Sequence, residues 1–169
     1  MMKNYTISAS FNVYNIVRTM IEFQNIRREH DVFHGSRQEA LLHTTQINFN
    51  CGRQSGHTSA ALEFATADDS IVFSGNRESV RTANAQLSGH LTPEYNKFNF
   101  LNGHLKTGST HLSREAFMGL CDKFEAIKIL VVDLSGMRLH TAEDLVFNEL
   151  IGDLHRYKID IDQVVFLGN

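Results

Sequence analysis

Between residues 11 and 29 the apolar side chains fall at Val13, Ile16, Val17, Met20, Ile21 and Phe23. That spacing of three and four predicts a helix with one face turned to a core. Ser36-Arg37-Gln38-Glu39 has the form of a capping box, in which serine and glutamate satisfy free backbone donors, so a short helix is expected through Leu42. The pattern then changes to alternation. Gln46 to Asn50 places Ile47 and Phe49 on one face of a short strand, and Ser70 to Ser74 forms a second strand. A helix is expected from Glu78 to Leu87, a third strand over Lys97 to Leu101, and a helix over Leu112 to Phe124 with Ser113 as its N-cap. Ile129-Leu-Val-Val-Asp133 is apolar on both faces, which suits the centre of a parallel sheet covered by helices on each side. Thr141 to Asp144 caps a further helix whose apolar face is Leu145, Val146, Leu150, Ile151 and Leu154, and the chain closes on Val164 to Leu167.

Strands that alternate with helices point to an α/β fold with a parallel sheet. The 169 residues suit a single domain over 1–169, with residues 1–45 as a helical segment packed on the core. This segment is expected to cover one sheet face with Val13, Ile16, Val17 and Met20, leaving Arg27 and Arg28 in solvent. The stretch from Leu101 to Thr110 reads as a loop at the sheet edge. Neither an internal repeat nor a low-complexity tract interrupts the pattern.

Composition narrows the function classes. Apolar residues make up 42% and charged residues 21%, ordinary for a globular chain. A formal charge of −3 gives no global attraction to nucleic acid, so such a partner would need a local basic patch such as Arg27-Arg28 or Arg77 and Arg81. The first residues have no apolar run of the signal-peptide kind, and no stretch nears the ~20 apolar residues that span a bilayer. Cys51 and Cys121 cannot make a disulfide framework and fit a reducing, cytoplasmic setting.

The candidate chemistry lies in Asn48-Phe-Asn-Cys-Gly-Arg-Gln-Ser-Gly-His-Thr58. A short strand runs into Gly52-Arg53-Gln54-Ser55-Gly56, and Thr58 opens an alanine-rich helix. A glycine-rich turn into a helix offers backbone N–H groups and the positive end of the helix dipole to an anion. Glycine permits the positive φ and close approach that such a loop needs. In an open α/β sheet this loop lies where ligands bind, beyond the carboxyl ends of the strands.

"CGRQSGHT" resembles the Walker A motif of P-loop NTPases, and is particularly similar to the version in the ATPase cores of viral large terminase subunits and helicase-like motors. The resemblance covers residues 46 to 169. It implies a three-layer parallel sheet of P-loop topology, with the strand ending at Asn50 near the centre beside the one ending at Asp133 and the C-terminal strand also nearby. It implies ATP or GTP with Mg²⁺ as cofactor, phosphates held by Gly52, Arg53, Gln54, Ser55, Gly56, His57 and Thr58, and the metal held by Thr58 and Asp133. Ser74 and the helix with Arg81 and Ala83 are loosely similar to the segment after the second strand of those motors, and Asn169 stands where a γ-phosphate sensor is often found.

The departures carry as much weight. Cys51 stands where the motif begins with glycine, and His57 replaces the lysine that bridges the β- and γ-phosphates. Leu134 follows Asp133, so the glutamate that orients attacking water is absent. Imidazole has a reference pKa of about 6.5 where lysine stays charged. Losing one such electrostatic group typically costs about 10²–10³-fold in rate. Binding through backbone amides is expected to survive, and fast hydrolysis is not.

Two functions follow. One is a nucleotide-binding P-loop protein with weak or no hydrolysis, associated with nucleic-acid processing. The other is a catalytically degenerate P-loop domain that acts on a protein partner as inhibitor or adaptor. His30 and His34, with Asp31 between them, have zinc-like spacing but no partner pair elsewhere, and the other histidines are scattered. Cys51 beside a helix start is a small residue whose thiol could be activated there.

Overall fold

The computed structural model describes residues 6–30, 35–43, 45–50, 56–74, 100–102, 126–134, 137–156 and 158–168. The expected helices at 78–87 and 112–124 lie outside these residues, as do Gly52, Arg53, Gln54, Ser55 and Asn169. The chain is an α/β protein built on a parallel sheet. In chain order its elements are α1 (Thr6–His30), α2 (Arg37–His43), β1 (Gln46–Phe49), α3 (His57–Thr66), β2 (Ser70–Ser74), β3 (Phe100–Asn102) and β4 (Ile129–Asp133). After them come α4 (Leu139–Leu145), a π-helical turn (Val146–Leu150), α5 (Ile151–Arg156) and β5 (Gln163–Leu167).

The described strands run in the order β1-β5-β4-β2-β3, every pairing parallel. β4 is central, as its unbroken apolar run predicts, and all five of its residues are buried. β1 departs from expectation. Among the described strands it lies at one edge of the sheet, beside β5 and not β4. Its composition accounts for this: Ile47 is buried while Asn48 is exposed, a half-polar strand suited to an edge.

Alternate strand residues enter two cores. On one face Val72, Ile129, Val131, Val165 and Leu167 meet α1 and α3 through Val13, Val17, Ile21, Ala60, Ala61, Phe64 and Ala65. On the other, Ile71, Phe73, Leu130, Val132, Val164 and Phe166 meet Leu41 of α2 and the stretch from α4 to α5 through Ala142, Leu145, Val146, Leu150 and Leu154. The result is three layers. The small alanines of α3 let its backbone approach the sheet, and Phe64 fills the space beside them.

Local signals explain most element ends. The capping box forms: the Ser36 N–H donates to Glu39 Oε2 at 2.7 Å and the Glu39 N–H to Ser36 Oγ at 3.2 Å. The Ser36 N–H, together with the Ser36 hydroxyl donating to the same Oε2 at 2.9 Å, holds the Glu39 carboxyl below its usual range. Two expectations for α1 need correction. Ile16 is 46% exposed and Ile21 takes its place in the core, because the buried stripe follows positions 13, 17 and 21. Arg28 is half-buried rather than in solvent, with Nη2 donating to the Asp162 carbonyl at 2.9 Å. Among the described residues no helix is long and apolar enough to cross a membrane.

Candidate functional site

The strand registers bring the last residues of all five strands into one row. Phe49 pairs with Leu167, Leu167 with Asp133, Asp133 with Ser74, and Ser74 with Asn102. Beyond the row two backbone bonds tie the ends together: Gly168 N–H to the Phe49 carbonyl at 3.0 Å, and Leu134 N–H to the Leu167 carbonyl at 2.9 Å. These bonds let β5 bridge β1 and β4 at their carboxyl edge, so the helix that follows β1 starts close to Asp133 without β1 and β4 being neighbours.

α3 starts there. Gly56 is its N-cap in the left-handed region, φ 88° and ψ 17°, a conformation that favours glycine. The Gly56 carbonyl accepts the first helical bond from the Ala60 N–H at 2.9 Å, and no side chain among the described residues caps the helix. A helix start without a side-chain cap leaves first-turn donors for water or an anion. The helix begins at His57, one residue before the expected opening at Thr58. Thr58 is exposed in the first turn.

His57 is the residue that faces the strand ends. Its ring stands edge-on to Phe49, centroids 6.2 Å apart at 73°, and its Nδ1 lies 3.9 Å from where a Cβ on Gly168 would stand. Gly168 has φ 96°, again in the region that favours glycine. The half-buried imidazole has its pKa pushed down, chiefly by loss of water, and the negative charge of Asp133 offsets part of that loss. Its neutral form is thereby favoured, and it differs in this from the permanent cation that a lysine would supply.

Asp133 ends β4 almost fully buried, 2% exposed, with Oδ2 inside the protein. Ser74, its register neighbour on β2, is also buried. Of the residues expected to form the site, the structure thus gathers Gly56, His57, Thr58, Asp133 and Ser74 at the carboxyl edge. Gly52, Arg53, Gln54, Ser55, Asn169, Arg81 and Ala83 lie outside the described residues, as do Cys51, Asp31 and His34.

Thr58 and Asp133 are oxygen donors of the kind that Mg²⁺ takes, usually with several waters retained. Among the described residues no group of three or more His, Cys, Asp or Glu side chains could hold a metal ion by itself.

Phe49 and Gly168 are site residues that the sequence reading missed. Phe49 counted only as a strand residue, and Gly168 followed an apolar run without any motif around it. A glycine directly after a buried strand is the signal that could have marked it.

No protein-family model matches the chain, no curated protein matches it, and no solved structure matches it.

Proposed function

We propose that the chain binds the phosphates of a nucleotide, ATP or GTP with Mg²⁺, at the carboxyl edge of its sheet, and hydrolyses it slowly or not at all. The observation that carries this reading is the meeting of His57, Gly168 and Asp133 at the start of α3. A glycine-led helix start, a buried aspartate at a strand end and a parallel α/β sheet are the parts that a P-loop site combines. The three adjacent strands β1, β5 and β4 carry these parts, which supports a P-loop-like topology.

In this reading the amides from Gly56 onward hold phosphate oxygens, and Thr58 and Asp133 hold the metal that shields their charge. His57 supplies a hydrogen-bond donor where a P-loop lysine supplies a cation, so binding outlasts catalysis. Leu134, which is buried, stands where the glutamate of such a site would follow the aspartate.

Titration of the protein with a fluorescent ATP analogue and a GTP analogue, each with and without Mg²⁺, tests the reading. Saturable binding strengthened by Mg²⁺ is expected. Absence of binding at millimolar nucleotide overturns it. One observation favours the second reading, a catalytically degenerate domain acting on a protein: α1 exposes Ile16, Phe23 and Ile26 on the face away from the sheet. Loss of nucleotide binding with an intact fold would leave that reading standing.

A further inference from the structure

At the opposite, amino-terminal edge of the sheet lies a cleft of about 390 Å³ that the nucleotide reading does not use. Its walls come from α1, through Arg18, Ile21, Glu22, Asn25 and Arg28, and from the strand starts at Asp69, Lys128, Ile129, Asp162 and Gln163. The volume lies within the ordinary size of small-molecule sites.

One ion pair on its wall is already committed. Arg18 donates to both Asp69 oxygens, at 2.6 and 2.8 Å, and lies over the rings of Tyr14 and Phe64. That clamp is satisfied, so it shapes the wall rather than offering charge. Two further charged residues on its lining differ. Glu22 and Lys128 both border the cleft, both are exposed, and neither side chain makes a hydrogen bond or ion pair with a described residue. Opposite charges that share a cleft and do not meet leave space for a molecule that carries both signs.

The wall between them is polar and incompletely paired. Arg28 Nη2 is used by Asn25 Oδ1 and the Asp162 carbonyl, but Arg28 Nε is buried with no hydrogen-bond partner among the described residues. Gln163 is 1% exposed, and its amide nitrogen donates to the carbonyls of Thr45 and Val164. Gln163 Oε1 is buried and also lacks a partner there. A buried donor and a buried acceptor left unsatisfied are costly, and a site that supplies their complements recovers that cost. Between these polar groups Ile21 and Ile129 give a small apolar surface.

We propose that this cleft binds a free α-amino acid with an aliphatic side chain. The carboxylate lies toward Lys128 and Arg28, the ammonium toward Glu22 and Gln163 Oε1, and the side chain against Ile21 and Ile129. Neither a simple anion nor a simple cation meets both signs of charge on the lining, where Arg18, Arg28 and Lys128 face Glu22, Asp69 and Asp162. The site is separate from the carboxyl edge, and its existence does not depend on nucleotide binding.

L-leucine is the probe, titrated into the isotopically labelled full chain while backbone amide shifts are followed by NMR. Leucinamide, which lacks the carboxylate, and 4-methylpentanoate, which lacks the ammonium, are run beside it. The expected result is saturable shifts at residues 18–28 and at the starts of β4 and β5 with leucine, and at least about tenfold weaker binding of each analogue, the worth of one charge-assisted hydrogen bond. Glu22→Gln and Lys128→Gln, both at exposed positions, should each weaken leucine binding by a similar factor. The proposal is overturned if leucine produces no saturable shifts, if all three compounds act alike, or if neither variant changes the affinity.

Discussion

The ring of His57 rests against Gly168, with Nδ1 3.9 Å from the place a Cβ would take. That contact joins the start of α3 to the end of β5, two elements far apart in sequence, and fixes the floor of the carboxyl edge. At 3.9 Å an added methyl group makes ordinary van der Waals contact, so space does not forbid a side chain there. The backbone does, since φ is 96°. Gly168→Ala is therefore expected to destabilise the fold by about 1–2 kcal/mol through the left-handed backbone. Chemical denaturation measures it. An unchanged midpoint would show that the end of β5 can relax to negative φ without consequence.

The lowered pKa of His57 makes a stability prediction with a definite sign. Unfolded imidazole titrates near pH 6.5. Burial lowers the folded value and Asp133 only partly restores it, so unfolding takes up a proton as the pH falls. The stability from keeping the ring neutral is complete above about pH 6.5 and is lost as the pH drops toward the folded value. Wild type should lose more stability than His57→Asn between about pH 7 and 5. Parallel pH profiles for the two proteins would contradict the burial of this ring. Phosphate binding should act oppositely, recruiting a proton to His57 and weakening as the pH rises through the same window.

The ion pair at the other end of the sheet gives a third prediction. Arg18 and Asp69 form two hydrogen bonds, while the Arg18 guanidinium lies over the rings of Tyr14 and Phe64. Burial raises the Asp69 pKa, but the bonds from Arg18 and Ser70 outweigh it and leave the value lowered. Its contribution is thus present above pH 4 or so and lost as the pH falls through the folded value. The carboxylate is 45% exposed, so solvent screening keeps the coupling modest. A double-mutant cycle with Asp69→Asn and Arg18→Met should give a coupling of about 1 kcal/mol, reduced at high salt. A coupling of zero at low salt would mean that Arg18 acts only by packing.

Periodicity made some of this fold readable and left other parts hidden. The run Ile129 to Val132 marked the central strand because a strand buried on both faces has little room for polar residues. Ser36 and Glu39 marked α2 because their bonds are local. The place of β1 was misread as central, since its neighbours depend on the crossover path and not on four residues of sequence. At the site, Gly56, His57, Thr58 and Asp133 were legible as a loop motif and a strand end. The contacts of His57 with Phe49 and Gly168 were not, because they arise only when β5 inserts between β1 and β4. The Arg18–Asp69 pair was hidden for a similar reason, its partners being 51 positions apart.

The sharpest test of the nucleotide reading is His57→Lys. In the wild type the position holds a short ring whose neutral form is favoured and which packs edge-on to Phe49. Lysine would bring a permanent cation on a longer stem, able to follow the outer phosphate. Nucleotide affinity should rise about tenfold, the worth of one charge-assisted hydrogen bond. Wild-type turnover should lie below the ordinary enzyme scale of about 1–10³ s⁻¹, and the variant should exceed it. Fold stability should move the other way, because a cation in the first turn opposes the helix dipole at a cost of about 0.3–1 kcal/mol, and the ring contacts with Phe49 are lost. Opposite signs separate the two roles: a general gain in order would raise stability and affinity together, whereas a phosphate-directed cation raises affinity in a less stable fold. Asp133→Asn serves as the companion variant and should remove the Mg²⁺ dependence of binding. If His57→Lys binds nucleotide no better than wild type, His57 does not occupy the phosphate-bridging position.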